Sequence, residues 1–204
     1  MGLSESERRE LGERAARLEA RTGVEAVAAV IDRCDAYPEI PWKAFALFSG
    51  LGLLAVMFGR FGTVPGGLTF LLGGAAAALT TLFLPGFARL FVDAQRRESA
   101  TRRYAASFFL DHDLSRTRRR RTILMLVGVF ERSMVVLTDC GLPLDEGELQ
   151  EIIARMRPRL AAGQVAPALR DGLDTLEMLL VAKGFDGGAG EDEIEQEIIE
   201  EKGA

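Results

Sequence analysis

The sequence predicts an α/β domain that is interrupted by a pair of membrane-spanning helices. Two short apolar runs, at residues 24–31 and 123–130, have the length and the Val, Ala and Leu content of strands covered on both faces. Between them, residues 44–88 carry one charge, Arg60, whereas the flanking segments are dense in Arg and Glu. We therefore expect an α/β sandwich of three or four strands with an inserted transmembrane hairpin.

The chain begins with an amphipathic helix. Ser4 and Glu7 have the spacing of a capping box, in which the hydroxyl accepts from the third helical N–H and the glutamate accepts from the cap N–H. Apolar residues then recur at helical spacing, and Gly23 ends the helix. The first strand, residues 24–31, follows directly.

The apolar block contains two uncharged runs, residues 44–59 and 64–88, joined by a predicted turn at residues 60–67. A helix needs about 20 apolar residues to cross the hydrocarbon core. The first run is short unless Trp42 and Lys43 lie at the interface. Small residues spaced four apart favour close helix contacts and homo-oligomers. A hairpin buried in a soluble core is the alternative, but the rest of the chain is too small to cover it.

The distribution of Lys and Arg predicts the orientation. Basic residues are frequent before and after the hairpin, whereas Arg60 is the only one between the runs. The positive-inside rule therefore places both termini and the domain in the cytoplasm, with the hairpin in the cell (inner) membrane. Two cysteines are too few for a disulfide framework and fit that compartment.

After the hairpin, residues 89–110 are predicted to be a helix, either continuous with the second span or separate from it. The strand at 123–130 turns at 131–133 into a returning strand at 134–138. Asp145 and Glu148 form another capping box.

The predicted helix that starts there contains Pro158, which should kink or shorten it. A last helix follows and ends at Gly184. Beyond it, residues 186–204 are predicted to be an acidic, disordered tail, with a short helical piece at 193–201. The predicted domain parts are therefore residues 1–43, 44–88, 89–185 and 186–204.

Several of these segments resemble the TPM domain family. They are residues 19–23 with the first strand, the basic lead-in at 116–122, the strand at 123–130, and the segment at 131–142. Glu131, Arg132, Asp139 and Gly141 stand at family-motif positions. A bacterial branch of that family carries two transmembrane segments between the first strand and the next helix, as in this chain. The resemblance covers about residues 5–183 and implies a three-layer α/β/α sandwich with a mixed sheet.

The resemblance also implies two kinds of function. Some members are proposed to be calcium-binding acid phosphatases, and others assist the assembly or repair of complexes. Better-described members have an Asp just before the central strand, where this chain has Arg119, Arg120, Arg121 and Thr122. That departure argues against calcium and phosphatase chemistry.

Candidate site residues are few. Asp32 and Asp139 both end strands and would bind a hard cation if those ends met, although calcium takes six to eight oxygen ligands. The alternative is that both carboxylates cap backbone N–H groups in turns. Cys34 and Cys140 would form a redox pair only on the same condition, and His112 has no accompanying nucleophile.

The basic run contains Arg118, Arg119, Arg120 and Arg121, and it suits an anionic lipid headgroup or a phosphate. It lacks the interleaved aromatic residues expected of a nucleic-acid interface. Without a convergent catalytic set, the sequence predicts a membrane-anchored interaction or assembly module that contacts the bilayer and an unidentified membrane protein. The alternative is a calcium-dependent acid phosphatase.

Overall fold

The computed structural model describes residues 3–58, 63–114, 120–185 and 198–203. The chain divides into two compact units. One unit combines Met1–Asp35 with Glu98–Ala204, and the other is the insert Ala36–Arg97.

The first unit is built from both helices and strands. In chain order they are α1 (Glu5–Thr22), β1 (Glu25–Arg33), α5 (Ala94–Asp111, which begins in the insert), β2 (Thr122–Gly128), β3 (Ser133–Thr138), α6 (Glu146–Ala161), α7 (Val165–Ala182) and β4 (Ile198–Gly203). The predicted capping boxes at Ser4 and Asp145 are both present. The three predicted strands are confirmed to within two residues at each end.

The four strands form one mixed sheet in the order β3-β2-β1-β4. β1 is parallel to both β2 and β4, whereas β2 and β3 form an antiparallel hairpin. In the register of the central pair, Glu25 lies opposite Thr122 and Ile31 lies opposite Gly128. The predicted α/β fold with a mixed sheet is confirmed.

Helices cover both faces of the sheet. Successive strand residues point to opposite sides, and in β1 and β2 the residues on both sides are buried. One face packs against α1, α6 and α7, where Leu18, Ile152 and Leu169 are fully buried in the core. The opposite face carries α5, whose Thr101 lies beside Gly128 of β2. The unit is therefore a three-layer α/β/α sandwich.

The described end of the acidic tail differs from its predicted structure, and residues 186–197 lie outside the described part. Residues 198–203 form the edge strand β4, where we expected disorder and a short helical piece. Glu200 points to one face, accepts from Leu3 N at 2.6 Å and pairs with Arg8. Glu201 points to the other face and accepts from the Tyr104 hydroxyl at 2.8 Å. The strand forms because both glutamates find partners on the helices.

Two further expectations in the helices are corrected. Pro158 does not shorten α6, which continues to Ala161 although the proline has no N–H to donate within the helix. The second apolar helix does not run straight into α5. A bend of 111° separates Phe70–Phe83 from Pro85–Phe91, since Pro85 cannot continue the helical hydrogen bonding.

The insert contains two long apolar helices, α2 (Glu39–Phe58) and α3 (Thr63–Phe83). The helix α4 (Pro85–Ala88) and a 3-10 turn at Arg89–Phe91 follow. The predicted turn at 60–67 is already helical from Thr63, and residues 59–62 lie outside the described part. α2 begins at Glu39, so the first apolar run belongs to a helix of 20 residues.

The surface of the insert is strongly apolar. Of the eighteen large apolar side chains that are exposed in the described part of the chain, sixteen lie in this unit. α2 has a mean hydropathy of 1.6 over its most apolar window, and only 11% of that window is buried. α2 is therefore long and apolar enough to cross a membrane, and it is not the buried core helix of our alternative hypothesis.

Candidate functional site

The two candidate metal ligands lie at opposite edges of the sheet. Asp32 ends β1, and its carbonyl accepts from Phe130 N at the carboxyl edge of the parallel strands. Asp139 follows β3, and its N–H donates to the Thr122 carbonyl at the amino edge. The length of β2 separates them, roughly 20 Å at the usual strand rise. The hypothesis of a shared cation site is therefore wrong.

The two cysteines are separated in the same way. Cys34 follows β1 at the carboxyl edge and is buried, whereas Cys140 lies at the amino edge and is exposed. Burial, and next the negative charge of Glu131, raises the pKa of the Cys34 thiol. A redox pair is excluded by this arrangement, and Cys34 stays a neutral thiol at ordinary pH.

Asp139 is the more unusual of the two acids. It is 92% buried by surface area, since 8% of it is exposed. Its Oδ1 accepts from Cys140 N at 2.7 Å, but Oδ2 has no hydrogen-bond partner among the described residues. Arg120 lies next to it on the surface and donates to Cys140 Sγ at 3.4 Å. Asp139 therefore accepts a backbone N–H in a turn through one carboxylate oxygen, while the other oxygen has no hydrogen-bond partner among the described residues.

This arrangement does not fit a calcium ion. Within residues 3–58, 63–114, 120–185 and 198–203, no three His, Cys, Asp or Glu side chains converge in a way that could hold a metal. Calcium takes six to eight oxygens, and the Asp139 carboxylate supplies at most two. No catalytic step through calcium follows from these residues.

The basic run is only partly described. Arg118 and Arg119 lie outside the described residues, so the predicted contact of this run with an anion stays a prediction. Arg121 stacks its guanidinium over the Phe185 ring at 5.2 Å, which uses it partly for packing. Arg120 is exposed beside the turn at Gly141, whose N–H donates to the Arg120 carbonyl at 2.9 Å.

Sequence reasoning missed a polar cluster at the carboxyl edge, which we call the carboxyl-edge cluster. It consists of Cys34, Thr101 and Glu131 around Gly128. Glu131 is 2% exposed, and its Oε1 accepts from Cys34 N at 3.0 Å. A Cβ atom at Gly128 would lie 2.7 Å from Glu131 Oε2 and 2.9 Å from Cys34 Sγ. A glycine inside a strand often marks a place where other groups approach the backbone closely, so Gly128 in the otherwise apolar β2 could have indicated this cluster.

A second group of side chains ties β4 to α5. The Tyr104 hydroxyl donates to Glu201, and His112 Nε2 lies 3.5 Å from the same carboxylate. The His112 ring also stacks on Phe108, with ring centroids 3.9 Å apart. Burial, followed by the hydrogen bond to Glu201, raises the pKa of the Tyr104 phenol. These contacts give His112 a structural role, because it helps to hold the edge strand β4 against α5.

Arg132 at the β2–β3 turn also has a structural contact. Its Nη1 donates to the carbonyl of Ala161 at 3.1 Å, which satisfies an acceptor at the end of α6. Of the four family-motif positions, Glu131 therefore belongs to the carboxyl-edge cluster, and Arg132 caps a helix. Asp139 and Gly141 form the amino-edge turn described above.

Two open grooves lie on the helical layer of the first unit. A groove of about 490 Å³ is lined by Arg14, Arg17, Arg21, Leu173, Asp174 and Glu177 of α1 and α7. Ion pairs cross it, including Arg21 to Glu177 at 2.6 Å. A second groove, of about 460 Å³, lies between α6 and α7 and contains the exposed Met178. Methionine and arginine are enriched at protein contact surfaces, so the second groove is a candidate surface of that kind.

Comparisons with known proteins agree with this fold. Residues 89–179, from α5 through most of α7, match the TPM domain family, so a TPM domain is present in the chain. The resemblance seen in the sequence is confirmed over that part. The matched region does not include β1, which precedes it in the chain and pairs with β2 in the middle of the sheet.

One solved structure also matches, the NMR structure of the BA42 protein from the psychrophilic bacterium Bizionia argentinensis. The TM-score is 0.59 at 12% identity, and the match covers 98% of this chain and 97% of the other. At that identity the likeness shows the fold alone. No curated protein matches the chain.

Proposed function

We propose that this protein is a membrane-anchored TPM-like domain that serves as an interaction or assembly module. The observation that carries the proposal is the exposed apolar surface of the insert, where sixteen large apolar side chains face outward. Soluble monomers rarely expose contiguous apolar patches larger than a few hundred Å². A lipid bilayer is the environment in which such a surface is stable.

Strand pairing supports two crossings. β1 precedes the insert and β2 follows it, yet the two strands pair directly in one sheet. A single crossing would leave them on opposite sides of the membrane, so the number of crossings between them must be even. α2 and α3 have 20 and 21 residues, which is about 30 Å each at 1.5 Å per residue. This is the thickness of the hydrocarbon core.

The orientation in this proposal follows from charge. Arginines are concentrated in the parts of the chain that flank the insert, and Arg60 alone lies between the two helices. We therefore place the domain and both termini in the cytoplasm, beneath the inner membrane. Anionic headgroups are the ligand that we propose for the basic run at 118–121.

The partner in this proposal is another membrane protein or a second copy of the chain. Gly50 of α2 and Gly73 of α3 face open space, with no atom within 4 Å of a Cβ placed there. Such positions let another helix approach closely in lipid. On the domain, the groove around Met178 offers a second contact surface. Nothing in the described charge pattern favours nucleic acid.

Topology is tested by cysteine labelling in intact cells, after both native cysteines are replaced. A cysteine at position 63 should react with an impermeant maleimide from outside, and one at Ser4 should react only after the cells are opened. The opposite pattern would reverse the orientation. Crosslinking in native membranes, with the Met178 groove as the site of a photoreactive residue, then tests for a protein partner. Recovery of the uncrosslinked chain alone would argue against an interaction module.

A metal-dependent phosphatase is the second candidate. It is favoured by one observation, the buried Asp139 oxygen without a hydrogen-bond partner in the described part, and opposed by the ligand count, since that carboxylate offers calcium at most two of six to eight oxygens. It predicts that calcium raises the Tm of the purified chain and that a phosphate ester is hydrolysed. Both effects should disappear in Asp139→Asn but persist in Asp113→Asn, a change at an exposed acid. A chain with neither effect would remove this candidate.

A further inference from the structure

We infer that the Pro85–Phe91 segment lies in the plane of the bilayer interface and forms a third membrane contact beside the two spans. Leu90 of this segment, Leu84 just before it and Trp42 near the start of α2 are exposed apolar residues, and we call the three together the interfacial collar. The partner is the headgroup region of a lipid bilayer. This inference rests on the proposed membrane anchor and adds the depth at which the hairpin sits.

Helix length places the bend at the membrane surface. α3 extends from Thr63 to Phe83, about 31 Å at 1.5 Å per residue. That length already crosses the roughly 30 Å hydrocarbon core, so Leu84 falls at its boundary. The chain then turns by 111° into Pro85–Phe91. A segment nearly perpendicular to a spanning helix is nearly parallel to the membrane plane.

The composition of the segment suits the interface. Residues 84–91 contain four large apolar residues and one charge, Arg89. Leu90 is 77% exposed and Leu84 is 56% exposed. Phe87 faces inward instead, with its ring centroid 6.0 Å from that of Phe48 on α2. One side of the segment therefore packs on the hairpin, and the other presents apolar side chains without protein cover.

In this proposal, the start of α2 lies at the same depth in the membrane as the Pro85–Phe91 segment. Lys43 Nζ donates to the carbonyl of Phe91 at 3.2 Å, which ties the first turns of α2 to the end of the segment. Trp42, next to it, is 74% exposed. Tryptophan and lysine are the residues that mark membrane interfaces, because an apolar body meets lipid while a polar group stays hydrated. Both ends of the hairpin thus carry interfacial residues.

A broken span is the competing geometry for the bent pair of helices. In that case Pro85–Phe91 would continue into the hydrocarbon, and Arg89 would be carried in with it. A charged side chain is strongly disfavoured at that depth. The inward packing of Phe87 and the bond to Lys43 also hold the segment back against the start of α2. A collar at the interface avoids this cost.

The experiment measures depth in vesicles of phosphatidylcholine and phosphatidylglycerol. Trp42 is the only tryptophan, so its emission can be followed in the unaltered full chain. A fluorophore is also placed, one variant at a time, in Leu90→Cys, Leu54→Cys and Met178→Cys on a background without native cysteines. All three positions are at least half exposed, so labelling should not disturb folding. Quenchers attached near the headgroup or near the acyl-chain end report the depth.

Trp42 and the Leu90→Cys probe should be quenched more by the shallow than by the deep quencher. The Leu54→Cys probe should show the reverse, and the Met178→Cys probe should be quenched by neither. If Leu90→Cys behaves like Met178→Cys while Leu54→Cys is quenched deeply, the anchor stands and the collar is wrong. A Leu90→Cys probe as deep as Leu54→Cys would show a broken span. If no probe is quenched, the membrane proposal itself fails.

Discussion

Two adjacent glycines in α3 have opposite surroundings, which makes them a matched test of the α2–α3 packing. A Cβ atom at Gly74 would overlap Ser49 Oγ of α2 and would lie 2.9 Å from Phe45 Cδ2 and 3.0 Å from the Phe45 carbonyl oxygen. A Cβ atom at Gly73 would meet nothing within 4 Å. We therefore expect Gly74→Val to force the helices apart and Gly73→Val to leave them in place.

The size of the effect follows from these distances. The Ser49 side chain can rotate away, but the Phe45 carbonyl belongs to the helix backbone. Ordinary contacts are about 3.5 Å or longer, so the helices must separate by roughly half an ångström even before the valine methyls are placed. Overpacking of this kind costs about 1–3 kcal/mol. Loss of the Ser49 bond to the Phe70 carbonyl adds about 1 kcal/mol.

The assay is the distance between spin labels on the two helices, measured by pulsed electron resonance in lipid nanodiscs. Leu47 on α2 and Leu79 on α3 are both exposed and can carry the labels. Gly74→Val should lengthen and broaden the distance distribution, and Gly73→Val should reproduce the parent. Equal distributions for the two variants, whether changed or not, would refute the packing that we describe.

Three predictions concern the domain. Ile152→Ala, in the fully buried core, should lower the free energy of unfolding by about 2–5 kcal/mol in urea titrations, whereas Met178→Ala should change it by less than about 0.5 kcal/mol. Gly128→Ala should cost about 1–3 kcal/mol in the same titration, because its Cβ meets the carboxyl-edge cluster, and an unchanged midpoint would contradict this. Folding raises the pKa of Cys34 and of Tyr104, so stability present at neutral pH should be lost as the pH rises above about 9, where the groups ionise only in the unfolded chain. Thermal melts from pH 7 to 11 check this, and Cys34→Ala should reduce the first part of the loss.

The parts of the fold that the sequence predicts correctly are those governed by local chemistry. The capping boxes at Ser4 and Asp145 need only residues three positions apart. The apolar runs that became β1 and β2 signal burial on both faces without reference to any partner. The exposed apolar surface of the insert likewise follows from composition alone.

The elements that the sequence does not predict depend on distant partners. β4 has the sequence Ile-Ile-Glu-Glu-Lys-Gly, which is too acidic for a typical strand. It is ordered because Glu200 pairs with Arg8 of α1 and Glu201 accepts from Tyr104 of α5, almost two hundred and almost one hundred residues away along the chain. No local pattern contains that information. The tail therefore appeared disordered.

The error about Asp32 and Asp139 has a different cause, the direction of one strand. A β2–β3 hairpin fixes β3 antiparallel to β2, but the long connection between β1 and β2 permits either relative direction. Parallel pairing sends the end of β1 and the end of β3 to opposite edges. The same choice brings Cys34 to Glu131 and creates the carboxyl-edge cluster.

The insert also bears on how the sheet can form. Roughly 90 residues lie between β1 and β2, and closing a flexible loop of that length costs about 2 kcal/mol more than closing one of ten residues. A helical hairpin reduces this cost, because α2 and α3 pack side by side and return the chain to its starting level. The bond from Lys43 to the Phe91 carbonyl holds the two ends of the hairpin together. Packing of the hairpin, which Gly74 makes possible, thus shortens the effective connection between the two central strands of the domain.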